Sequence, residues 1–72
     1  MSANELNRDN YEFSHEGHDY WIYTFMTRGG VLRYRVWRRV DEGQAKQGEG
    51  RNDLIQRSRK QLIDEYPPPT PR

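Results

Sequence analysis

The residues best equipped for chemistry stand in one run, Arg33-Tyr34-Arg35-Val36-Trp37-Arg38-Arg39. Guanidinium groups pair bidentately with phosphate or carboxylate, and an exposed tryptophan offers a flat surface on which an unpaired base can stack. Arg, Trp, Tyr and Met are also the residue types concentrated at the centres of protein interfaces. The run therefore suits two kinds of partner, and also a plain solvated strand whose arginines pair with Glu12, Glu16 and Asp19. A second cluster, His15-Glu16-Gly17-His18-Asp19, carries imidazoles and carboxylates, the usual ligands of zinc. Its histidines are separated by two residues rather than three, and Gly17 would break the helix on which an H-E-x-x-H site is built. The cluster reads better as a polar turn, so no metal or other cofactor is expected. His15 and His18 are the residues to watch should one bind. The carboxylates Glu12, Asp19, Asp64 and Glu65 and the hydroxyls of Ser14 and Ser58 have no sequence neighbour that would activate them, and an enzyme is not expected.

Seventy-two residues allow one domain, whose core rarely supplies more than roughly 3–5 kcal/mol unaided. With no cysteine there is no disulfide to reinforce it, which leaves self-association as the staple to test. The first nine residues are mostly polar and lack the apolar stretch a secretory signal needs, and nothing approaches the length of a membrane span, so no membrane is expected and the expected compartment is the cytoplasm. The net charge of +1 hides an uneven distribution. Residues 1–27 carry five acidic groups and one basic, whereas residues 28–40 carry five arginines and no acid.

The elements that must position these residues follow from composition. Residues 1–10 hold one sizeable apolar side chain, Leu6, and read as a flexible arm. Eight of the nine aromatic residues fall between Tyr11 and Val40, with turn signals at His15-Glu16-Gly17 and Arg28-Gly29-Gly30. That predicts three strands, about 11–15, 18–27 and 31–40, joined as an antiparallel meander. Residues 41–51, with three glycines, read as a loop. Asn52 or Asp53 can cap a helix over about 53–66, whose apolar stripe is Leu54, Ile55, Leu62 and Tyr66 and which Pro67 terminates. Residues 67–72, Pro-Pro-Pro-Thr-Pro-Arg, extend as a polyproline tail, a candidate ligand for an aromatic-lined groove but more simply a hydrated terminus. The expected fold is α+β, a single domain over 11–66: a three-stranded antiparallel β-meander followed by one C-terminal helix packed on one sheet face.

Which face the helix covers depends on the turns, because a one-residue register shift exchanges the faces of a strand. A two-residue first turn would force Glu16 to positive φ, so a three-residue loop His15-Glu16-Gly17 is expected, with Tyr11 opposite Trp21. A two-residue Gly29-Gly30 second turn places Phe25 opposite Tyr34, whereas a three-residue Arg28-Gly29-Gly30 turn sets arginines among the aromatics. The former gives one apolar face of Tyr11, Phe13, Trp21, Tyr23, Phe25, Leu32, Tyr34 and Val36, and is preferred. The opposite face then shows Tyr20, Ile22, Thr24, Met26, Arg33, Arg35, Trp37 and Arg39. The β-β-β-α order with arginines and a tryptophan on the strands resembles, in pattern, the plant AP2-type and integrase amino-terminal DNA-binding domains; no motif string of either is present and no residue role carries over. The expectation is a binding module whose surface centres on Arg33, Arg35, Trp37 and Arg39 with Tyr20 and Met26 beside them. Its partner is a nucleic acid or, alternatively, a protein, including a second copy in a homodimer.

Overall fold

Aromatic and β-branched residues crowd the chain between Tyr11 and Val36, and there the backbone pairs into strands. The computed structural model describes residues 5–68, so residues 1–4 of the expected arm and 69–72 of the Pro-rich tail lie outside the described residues. Four strands form one antiparallel sheet in chain order: β1 Leu6–His15, β2 His18–Met26, β3 Leu32–Val36 and β4 Glu42–Gln44. A single helix, α1 Arg51–Glu65, follows and packs on one face. The architecture is α+β, as expected, with a short fourth strand added at the margin.

Both turns differ from expectation by one residue. His15 pairs with His18, so the first turn is the two-residue Glu16-Gly17, with φ of 50° and 78°. Type I′ turns need positive φ at both central residues, and the strain at Glu16 is offset by what the register achieves. It sets Tyr11 opposite Ile22 and Phe13 opposite Tyr20 on the helix side. The second turn is the three-residue Arg28-Gly29-Gly30. Its frame is the Thr27 N–H donating to the Val31 carbonyl at 2.9 Å and the Gly30 N–H to the Thr27 carbonyl at 3.0 Å, with Gly30 at φ 81°. Phe25 therefore lies opposite Arg33, not Tyr34.

The two one-residue differences cancel between β1 and β3 and invert only β2. Tyr11, Phe13, Leu32, Tyr34 and Val36 sit on the helix side as expected, but β2 contributes Tyr20, Ile22 and Thr24 instead of Trp21, Tyr23 and Phe25. The core is Tyr20, Ile22, Tyr34 and Val36 against Leu54, Ile55 and Leu62, every one of them at most 6 % exposed. Helical spacing brings Leu54, Ser58 and Leu62 onto one stripe, and small Ser58 is buried in its middle turn.

Three further boundaries move. β1 begins at Leu6, so half of the expected arm pairs with β2, with one extra β1 residue between Leu6 and Asp9 forming a bulge. β3 stops at Val36 rather than 40, because Trp37–Arg39 turn out of the sheet in a short helical turn with Arg38 and Arg39 both at φ 53°. The expected loop contains β4 and is fastened by polar contacts that composition does not reveal. The Ala45 N–H donates to the Leu32 carbonyl at 2.8 Å. The Arg57 guanidinium grips Glu49 with two bonds of 2.8 and 2.9 Å. α1 starts at Arg51 behind Gly50, so neither Asn52 nor Asp53 is its cap. It ends where Pro67 requires, with the Tyr66 N–H donating to the Leu62 carbonyl. No helix among the described residues is long and apolar enough to cross a membrane.

Candidate functional site

Inverting β2 moves Trp21, Tyr23 and Phe25 to the face without a helix and Tyr20 to the core. Antiparallel alternation places Asn10, Glu12 and Ser14 of β1, Asp19, Trp21, Tyr23 and Phe25 of β2, and Arg33 and Arg35 of β3 on that open side. Trp21 and Tyr23 are half-buried, whereas Phe25 is 6 % exposed yet stands apart from the core cluster. The Arg35 guanidinium shields it from above, 5.2 Å from the Phe25 ring and 5.8 Å from the Tyr23 ring, within cation–π range.

Glu5 locks this arrangement. Its carboxylate accepts the Tyr23 hydroxyl at 2.7 Å and the Arg35 guanidinium at 3.0 Å, joining the start of β1 to β2 and β3. The Tyr23 hydrogen bond and then Arg35 hold the Glu5 carboxyl below its ordinary pKa; burial, then the bond to Glu5, pushes the Tyr23 hydroxyl up. Arg35 also reaches Glu42 of β4 at 3.9 Å. Its charge is committed inside the molecule. Arg33 and Arg39, by contrast, take part in no ion pair among the described residues. Asn10, Glu12, Trp21, Tyr23, Arg35 and Arg39 line one shallow depression on this face. Glu12 accepts a bond from the Asn10 amide at 3.2 Å, and the Ser14 hydroxyl donates to Asp19.

Of the six residues expected to share a surface, three do: Arg33, Arg35 and Arg39. Tyr20 is a core residue, 2 % exposed, its hydroxyl donating to the Tyr66 carbonyl at 2.6 Å. Met26 pairs with Leu6 and Leu32 and lines a separate recess with Arg8, Lys46 and Arg51 beside the start of α1. Trp37 leaves the strand and packs on the helix side, where its ring lies 5.3 Å from Tyr20, 5.5 Å from His18 and 6.3 Å from Tyr66, with the Arg38 guanidinium 4.7 Å above it. It seals the seam between sheet and helix. The physical reason for the separation is the end of β3 at Val36: beyond it the alternation that would have aligned Trp37 with Arg35 no longer applies.

His15 and His18 pair across the first turn, and among the described residues the one carboxylate within ion-pair distance of either imidazole is Glu16, 3.9 Å from His15. Among the described residues no group of three His, Cys, Asp or Glu side chains converges as a metal site would require. Sequence reasoning missed Trp21, Tyr23, Glu5 and Glu12. The expected first turn places the first two in the core, and Glu5 lies in a segment whose polarity gives no sign of pairing. No family model, curated protein or solved structure matches this chain.

Proposed function

We propose that this domain is a non-catalytic binding module, that its working surface is the open sheet face around Trp21, Tyr23, Arg35 and Arg39, and that its ligand is a protein surface. The observation that carries this reading is the neutralisation of Arg35 by Glu5 at the centre of the face. A phosphate-tracking surface needs free cations along its length. Here the central cation is already paired, and Glu12 lies in the same depression as Arg39. What remains is an aromatic middle with charges of both signs around it, which suits a protein partner better than a polyanion.

A nucleic-acid reading keeps one specific support. Arg33 and Arg39 have no carboxylate partner among the described residues, and Trp21 and Tyr23 are two rings on adjacent same-face positions to which unpaired bases could stack. The two readings separate in a titration of isotope-labelled protein with a short single-stranded oligonucleotide at low and moderate salt. The protein reading expects flat spectra at both. Shifts at Trp21, Tyr23, Arg33 and Arg39 that fade with salt would overturn it in favour of nucleic acid. A photo-crosslinking side chain at position 21 should capture protein in cells, and the same group at exposed Lys60 on α1 should not.

A further inference from the structure

The open face is polar from one side to the other. From β1 to β3 it carries Glu12, then Trp21 and Tyr23 on β2, then the arginines. Arg35 is already neutralised by Glu5 and by Glu42 of the outer strand β4, so the charges left without an ion pair among the described residues include Glu12 on the β1 side and Arg33 and Arg39 on the β3 side. Such a layout matches itself under one operation, a two-fold rotation about an axis parallel to the strands. That rotation lays β1 of one copy over β3 of the other and β2 over β2, so acid meets base and the aromatics meet at the axis. Rotation about an axis across the strands would instead stack acid on acid and arginine on arginine. A two-fold contact is isologous, each residue i on one copy meeting j on the other and j meeting i, which is what this pattern provides. Two sheets packed face to face keep their strands within about 30° of each other, with room for one interdigitated side-chain layer between them.

Two further observations point the same way. Glu12 and Arg39 line one depression, yet no ion pair joins them within the chain among the described residues. Both are exposed, so each charge is open to an opposite group from outside. Arg39 also reaches the face by a strained route, because it and Arg38 both hold φ 53°, a backbone region that disfavours any residue with a Cβ. Glycine would make that turn with less strain; what it lacks is the guanidinium that Arg39 brings beside Trp21. Asp19, held by Ser14, lies beyond the aromatic middle, toward the first turn.

We propose that the partner of this face is a second copy of the chain, docked sheet on sheet about a two-fold axis parallel to the strands, with Glu12 of each copy paired to Arg39 of the other. The proposal rests on the protein-binding reading above and names its partner. It also supplies the reinforcement that a cysteine-free domain of this size otherwise lacks.

Sedimentation of the full chain over a range of concentrations tests it. The unmodified protein is expected at twice the chain mass, and Glu12→Arg and Arg39→Glu each at the single-chain mass. An equimolar mixture of the two variants is expected to recover the doubled mass, since each then supplies the charge the other lacks. Circular dichroism confirms that both variants fold, and if either charge reversal unfolds the chain, Glu12→Gln and Arg39→Gln should still show loss of the doubled mass. A chain that stays single at every concentration overturns the proposal, as does a dimer indifferent to both reversals or a mixture that fails to reassociate. A single-chain species that still crosslinks to another protein from position 21 would overturn only the identity of the partner. Salt-sensitive oligonucleotide shifts would instead remove the protein reading itself.

Discussion

Arginine does several different jobs in this molecule, each set by what lies beside it. Arg57 sits 5.5 Å from the Tyr34 ring and grips Glu49, and Arg59 sits 5.2 Å from the Phe13 ring, so the helix covers the sheet margins with cationic side chains as well as apolar ones. Arg35 does the same for Tyr23 and Phe25 on the other side. The Arg57–Glu49 pair has a consequence for acid stability. The Arg57 guanidinium, aided by the Lys46 backbone N–H, holds the Glu49 carboxyl down at about 2 from its ordinary 4.5. A carboxyl depressed in the folded state contributes stability that is fully present above its unfolded pKa and is lost as pH falls through the folded one. The melting temperature should therefore drop between pH 4.5 and about 2. Glu49→Gln should be less stable at neutral pH and show a shallower drop over that window. Thermal unfolding across a pH series reads both, and identical slopes for the two proteins would dismiss the pair as a source of acid sensitivity.

The first hairpin turn is the element that most repays engineering. Glu16 at φ 50° occupies a position where a type I′ turn favours Asn or Gly. Glu16→Asn should stabilise the domain by about 0.5–1 kcal/mol, which in a chain of this length raises the melting temperature by roughly 2–8 °C. An unchanged or lower melting temperature would mean that Glu16 does something in the turn besides adopting its conformation. The same residue explains why β2 was illegible. The helix, its stop at Pro67 and the helix-side residues of β1 and β3 all follow from spacing. β2, however, carries rings or aliphatic groups on both sides, Tyr20 and Ile22 on one and Trp21, Tyr23 and Phe25 on the other, so its pattern cannot say which side is core. Only the turns decide, and Glu16-Gly17 lacks the Asn-Gly signature that would have announced a two-residue loop. β4 was hidden for another reason, since Glu42-Gly43-Gln44 has no strand-favouring side chain. It pairs because Tyr34 lies against Gly43 and its hydroxyl donates to Asp41 at 2.8 Å, contacts made in space rather than in sequence.

For the whole molecule, the inversion of β2 makes two neighbouring residues behave oppositely. Ile22 is fully buried between sheet and helix, and Ile22→Ala should cost about 2–5 kcal/mol, comparable to the entire stability of a domain this small. Trp21 is larger but sits on the open face, so Trp21→Ala should leave a folded chain that no longer binds. Chemical denaturation of the two variants checks this, and the reverse order of stabilities would favour the faces that a three-residue first turn and a two-residue second turn predict. The arrangement of strands carries one more consequence. β1 is the outer strand on one side of the sheet, and an unpaired outer strand is a template on which further chains can add without limit. Two features blunt it near its start: the bulge at Asn7-Arg8, which bends the strand, and the Arg51 guanidinium, which occupies the Asn7 carbonyl. Deleting Arg8 would remove the extra residue, straighten the margin and free that carbonyl. Such a chain should keep its binding face and yet form fibres on concentrated storage, so that protection against polymerisation resides in a kink on the margin of the sheet.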